Sequence, residues 1–134
     1  MGSMSWFVPL LPGKLDAWKA MTEESNGPRR EEHARSRQRL GITREVAALV
    51  QTPQGDFTSV FLEAEDIATV FKSMFESDDP YDKWFMDRTM EVHGMNPEMF
   101  EAGLPAKVYF DYRADAMAGQ SERRREKSAG ADTD

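Results

Sequence analysis

Cysteine is absent from this chain of 134 residues, and only 2 histidines are present. The first absence excludes disulfides, thiolate catalysis and Cys-ligated zinc. The second leaves few side chains that exchange protons near neutral pH. Positive charge is also scarce: 17 Lys and Arg stand against 24 Asp and Glu, for a formal net charge of −7. Such a chain has no general attraction to nucleic acid or to anionic membrane surfaces. Long apolar runs are missing, and the stretch Trp6 to Pro12 falls far short of the roughly 20 residues needed to cross a bilayer. It also lacks the basic front of a secretory signal, so the chain reads as cytoplasmic. P-loop, G-x-G-x-x-G, G-x-S-x-G and H-E-x-x-H motifs do not occur, which removes nucleotide-dependent transfer, serine hydrolysis of the usual kind and zincin chemistry.

What is present is the balance of one globular domain, with 40% hydrophobic and 31% charged residues. Met1 to Met4 reads as a cloning remnant, residues 5–113 as the domain, and residues 114–134 as a polar, disordered tail carrying Arg123-Arg124-Arg125. Ser5 to Leu11 predicts a strand with Pro9 at an edge or bulge. Leu15, Trp18 and Met21 predict a helix with one narrow apolar stripe, and Arg29 to Leu40 a second, highly charged helix ended by Gly41. Ile42 to Thr52 and Phe57 to Ala64 predict a hairpin around Pro53-Gln54-Gly55-Asp56. Asp66 as N-cap with Ile67, Val70, Phe71, Met74 and Phe75 predicts a helix. Asp79 as N-cap with Pro80 at the first position predicts another, closed by Gly94. Lys107 to Arg113 alternates Val108, Phe110 and Tyr112 with Lys107, Tyr109 and Asp111, which predicts a fourth strand.

The resulting order is the α+β, ferredoxin-like split βαββαβ arrangement: a four-stranded antiparallel sheet with its helices on one face. Most strands are apolar on both parities, so the face away from the helices also needs cover. A second copy of the chain related by a two-fold axis provides it. This pattern resembles the dimeric α/β-barrel superfamily over Ser5 to Arg113. More locally, RLGITREVA at Arg39 to Ala47 and SDDPYDKWF at Ser77 to Phe85, followed by His93-Gly94, resemble segments of an uncharacterised bacterial family of that fold, and more distantly antibiotic-biosynthesis monooxygenases. The resemblance implies a homodimer that holds a small hydrophobic or aromatic ligand in a pocket of each subunit. The ligand is either only bound or is oxidised, cyclised or isomerised without a cofactor. Haem-degrading members carry a Trp and a His on the second helix and an Asn on the first strand. The Asn is missing from Ser5 to Leu11, which leaves haem binding a minor alternative.

Candidate site residues follow from side-chain chemistry. His33, on a helix face with Arg37 and Leu40, is a proton donor or acceptor, or one more residue of a solvated face. His93 precedes Gly94 at a helix C-terminus, where the dipole stabilises a protonated ring, and is either catalytic or a cap. Glu63 shares the parity of Phe57 and Phe61, and is either a buried base or the fraying end of a strand. Arg37 or Arg88 would steady an enolate, with Glu63 as a partner for Arg88, and Tyr81, Trp84 and Phe61 would line the cavity. Packing at helical spacing is the alternative for the aromatic stripe of Tyr81, Trp84 and Phe85. Asp78, Asp79 and Asp82 do not meet the calcium-loop pattern, and no metal or cofactor is expected.

Overall fold

The computed structural model describes residues 1–101 and 103–114. Three strands, β1 (Gly2–Pro9), β2 (Ile42–Thr52) and β3 (Gly55–Ala64), form one sheet in the order β1-β3-β2, antiparallel throughout. Four helices are added: α1 (Leu15–Asn26), α2 (Arg30–Leu40), α3 (Val70–Glu76) and α4 (Pro80–His93). The chain is therefore α+β, with β2 and β3 joined by the expected hairpin and β1 at an edge that ends at Pro9. Gly2, Ser3 and Met4 belong to β1, and Met4 is buried to 1% exposure, so residues 2–4 are part of the ladder rather than outside it.

Local chemistry accounts for most boundaries. Asp79 Oδ2 accepts hydrogen bonds from the backbone N–H of Tyr81 (3.0 Å) and Asp82 (3.1 Å), and Pro80 supplies a first residue that has no N–H to satisfy. Gly41 and Gly94 end α2 and α4 in the left-handed region, at φ 73° and 67°, where a side chain would be strained. Asp66 takes the N-cap position, but its side chain makes no capping hydrogen bond. A 3₁₀ turn at Ile67–Thr69 precedes α3, and the Asp66 backbone carbonyl receives the Thr69 N–H.

Register decides which side chains face the helices. Met4 lies opposite Leu62, Trp6 opposite Val60 and Val8 opposite Thr58, while Glu45 and Ala47 of β2 oppose Leu62 and Val60. Met4, Ile42 and Leu62 pack against Val70, Phe71, Met74 and Met86. A second cluster joins Leu10, Trp18 and Val92. The alternate residues, Phe7, Phe57, Phe61 and Val46, lie on the other face, with Phe7 at 61% and Val46 at 40% exposure.

The expected fourth strand is not formed. Lys107 to Arg113 runs without regular structure, and Tyr109 and Phe110 are 89% and 88% exposed. Its side chains tie it to the sheet: Ser3 Oγ donates to Asp111 Oδ2 (3.0 Å), and Arg113 pairs with Glu63. Alternation records which side chains would share a face, and a strand needs in addition an edge to bond to. The expected tail lies, apart from residue 114, outside the described residues.

Candidate functional site

The α2–β2 connection builds the centre of the site. Because Gly41 reverses the chain within one residue, β2 runs back beneath α2, and Arg37 reaches Glu45 with two N–H groups, Nε to Oε1 and Nη2 to Oε2, each at 2.9 Å. His33 stands one turn before Arg37 on the same helical face, and its Nε2 meets Glu45 Oε1 at 2.7 Å. On the other side of the ring, His33 Nδ1 is 2.6 Å from the Tyr81 hydroxyl, which is 3.0 Å from Ser25 Oγ. Four elements, α1, α2, β2 and α4, thus meet in one chain of polar groups.

Electrostatics fix part of the proton placement. Burial by itself would raise the Glu45 carboxyl; hydrogen bonds from His33 and Arg37 and the Arg37 charge outweigh it and bring it down to about 2. Glu45 is therefore ionised and accepts, so His33 Nε2 carries a hydrogen. Tyr81 is raised above the ordinary phenol range, chiefly by burial, and stays neutral. Its single hydroxyl hydrogen goes either to a neutral His33 or to Ser25 beside an imidazolium, so the network has two proton arrangements with the same heavy-atom positions. Arg29 closes it from outside, its guanidinium 4.8 Å from the Tyr81 ring centre and 4.5 Å from that of Trp84.

His33 and Glu45 line a cleft of about 350 Å³, together with Thr22, Ser25, Asn26, Ala47 and Phe85. A smaller, mostly apolar cavity of about 90 Å³ lies between sheet and helices, lined by Trp6, Trp18, Met21, Phe71 and Met86. Cleft and cavity share Thr22, Glu45, Ala47 and Phe85. His93 borders the cavity: its Nδ1–H donates to the Thr89 carbonyl (2.9 Å), and Nε2 accepts from Thr58 Oγ1 (2.8 Å). Burial lowers its pKa against the opposing pull of the Thr89 carbonyl. The ring is held neutral, in place of the dipole-stabilised cation expected for a helix C-terminus, because desolvation outweighs the dipole.

Of the residues singled out in the sequence, the fold brings together His33, Arg37 and Tyr81. Trp84 adjoins them through Tyr81, its ring centre 5.4 Å away. His93 stands at the cavity with its own partners. Glu63 and Phe61 lie on the far face of the sheet, where Glu63 pairs with Arg113. Arg88 is 45% exposed and pairs with Glu91 (3.2 Å) rather than with Glu63. Sequence reasoning missed Glu45, Ser25 and Trp6. Glu45 had a signal: it is the one charged residue on the Glu45, Ala47, Leu49 parity of its strand. Ser25, in the last turn of α1, has no such signal. Asp82, weighed in the sequence only against the calcium-loop pattern, is 2% exposed and accepts from Ser77 (2.6 Å) and Arg39 (3.1 Å), tying α2 to α4.

Among the described residues, no three His, Asp or Glu side chains cluster as metal ligands, and no helix is long and apolar enough to cross a membrane. Comparison of the chain with known protein families, curated proteins and solved structures gives no match.

Proposed function

We propose that this chain is a small-molecule-binding protein of the dimeric α/β-barrel type, taking a hydrophobic or aromatic ligand in the cleft between α1, α2, α4 and β2. The observation that carries this reading is a cleft bearing Ser25, Asn26 and His33 that adjoins a mostly apolar cavity, Thr22, Glu45, Ala47 and Phe85 lining both. Opposite charges at Arg37 and Glu45 cancel within the site, which favours a ligand without net charge. Pairing of two copies through the faces that carry Phe7, Phe57, Phe61 and Val46 would remove the exposed apolar surface from water.

Proton transfer on the bound ligand, without a cofactor, is the second reading, and the Glu45–His33–Tyr81 chain favours it. The Glu45 carboxylate orients the ring, and two proton arrangements at fixed geometry are what a proton shuttle uses. The test is a chemical-shift screen of neutral aromatic and alicyclic metabolites against the ¹⁵N-labelled protein. Shifts concentrated at Ser25, Asn26, His33 and Phe85, and lost in a folded Ala47→Trp variant whose indole fills the space that Ala47 borders, support the site. Binding indifferent to Ala47→Trp, or no binding, removes it.

A further inference from the structure

The face of the sheet turned away from the helices is polar at one end and apolar at the other. Across the three strands Ser3, Glu63 and Arg44 form one row, and Pro9, Phe57 and Val50 form the row at the opposite end. Between them lie Phe61 with Ser5 and Val46, then Ser59 with Phe7 and Ala48. The arm 107–113 belongs to the polar end. Leu104 and Ala106 before it still pack against the core, whereas Asp111 accepts from the Ser3 hydroxyl (3.0 Å) and Arg113 pairs with Glu63. The chain therefore rounds the open edge of β1 and arrives on the far face. Its aromatic side chains find no cover on arrival, and Tyr109, Phe110 and Tyr112 all stand exposed.

We infer that the occupant of this face is a second copy of the chain, and that each copy seats its arm 107–113 on the apolar end of the other, against Phe7, Pro9 and Phe57. The inference rests on the face-to-face pairing proposed above and adds which parts meet. Area calls for the arm. On the strands Phe7 and Val46 are exposed while Phe57 and Phe61 are half-buried, which offers about 300 Å² if a bare aromatic side chain counts for ~200 Å². A stable interface takes about 800 Å² from each partner, and Tyr109, Phe110 and Tyr112 add about 500 Å². Geometry then chooses the axis. A two-fold along the strands lays the arm over the partner's β2 at the Arg44 end, where aromatic rings meet the polar row. A two-fold across the strands keeps β1 over β1 and exchanges the ends, so that each arm meets Phe7 and Phe57, whose rings already adjoin at 6.1 Å. Only the second buries apolar side chains against apolar ones.

Because the chain has no cysteine, single introduced thiols report the contact directly. Full-length Phe7→Cys and Phe110→Cys are prepared apart, mixed until subunits exchange, and treated with a short bis-maleimide. No chain then holds two thiols, so every link joins two copies. Linked pairs are expected to form about tenfold faster in the mixture than in either variant alone, since like positions in such a dimer lie on opposite sides of the axis. In the full-length chain, Tyr109→Ser with Phe110→Ser is expected to weaken pairing about a hundredfold in sedimentation, with an unchanged ¹⁵N spectrum for the sheet. A wild type that sediments as a dimer, yet links no faster in the mixture or pairs equally well with the two serines, overturns the inference and leaves the face-to-face pairing standing. A wild type that stays monomeric overturns both, and the arm then belongs to its own chain alone. The serine variant decides the matter even if a cysteine variant does not fold.

Discussion

Arg37 grips both carboxylate oxygens of Glu45, at 2.9 Å each, from a position eight residues earlier in the chain and 7% exposed. Helix α2 and strand β2 are thereby locked at one angle, and His33 is held against the same carboxylate. Removing one partner leaves the other's charge in a site with little access to water. Arg37→Met is expected to destabilise the fold by about 3 kcal/mol, and pairing it with Glu45→Met to recover most of that loss. Urea unfolding of the three variants checks this; a loss within experimental error for Arg37→Met would mean that water screens the pair.

Acid should weaken the protein through the same group. The Glu45 carboxyl sits at about 2 in the fold and 4.5 in the unfolded chain, so as pH falls the unfolded chain takes up its proton first. The stabilisation is complete above 4.5, declines as pH drops toward about 2, and amounts to about 3 kcal/mol. Glu45→Gln is expected to flatten that part of the urea midpoint against pH curve.

His93 adds a second slope at milder pH. Its folded pKa is lowered by burial below the ordinary 6.5, so its neutral ring stabilises the fold fully above 6.5, and that contribution is lost progressively below it. His93→Gln should be less stable than wild type near pH 8 and lose less stability on acidification below 6.5. Parallel curves for the two proteins would place the slope elsewhere.

Gly41 sets the turn that brings Arg37 over Glu45. With φ at 73° any side chain is strained, although a Cβ would meet nothing closer than Glu65 Oε1 at 3.5 Å. Gly41→Ala is expected to cost about 1 kcal/mol through backbone conformation alone. Thermal unfolding reads the loss, and an unchanged His33 spectrum would confirm that the site geometry survives it.

Pairing of two copies is checked at the sheet's far face. Phe7→Lys and Phe57→Lys place two charges on the face that also carries Phe61, away from the residues that line the cleft. Sedimentation should show dimers for the wild type at micromolar concentration and monomers for the double variant, both folded. A monomeric wild type removes the pairing and leaves the cleft as the property of a single chain.

Much of the fold was legible because its signals are local. Asp79-Pro80 and Gly94 bracket α4, Gly41 ends α2, and Pro53 to Asp56 separates two strands, each for reasons confined to a few residues of backbone chemistry. Lys107 to Arg113 carries an equally clear alternation and is not a strand, since its pattern says nothing about a partner edge. Glu63 and Phe61 were placed near the aromatic stripe for lack of register: a pairing shift of one residue exchanges the two faces of a strand, and the hairpin register sends both residues away from the helices.

The sequence by itself determined the element order, the caps, the absence of cysteine chemistry and the helical face that His33 shares with Arg37. Tertiary structure alone decided that this face meets Glu45, that Tyr81 and Ser25 complete the chain of hydrogen bonds, and that the Trp6 indole nitrogen is buried with no hydrogen-bond partner among the described residues. Helical and strand periods are properties of neighbouring residues, whereas partners 48 or 56 positions apart, as His33 and Tyr81 or Tyr81 and Ser25 are, depend on how whole elements pack.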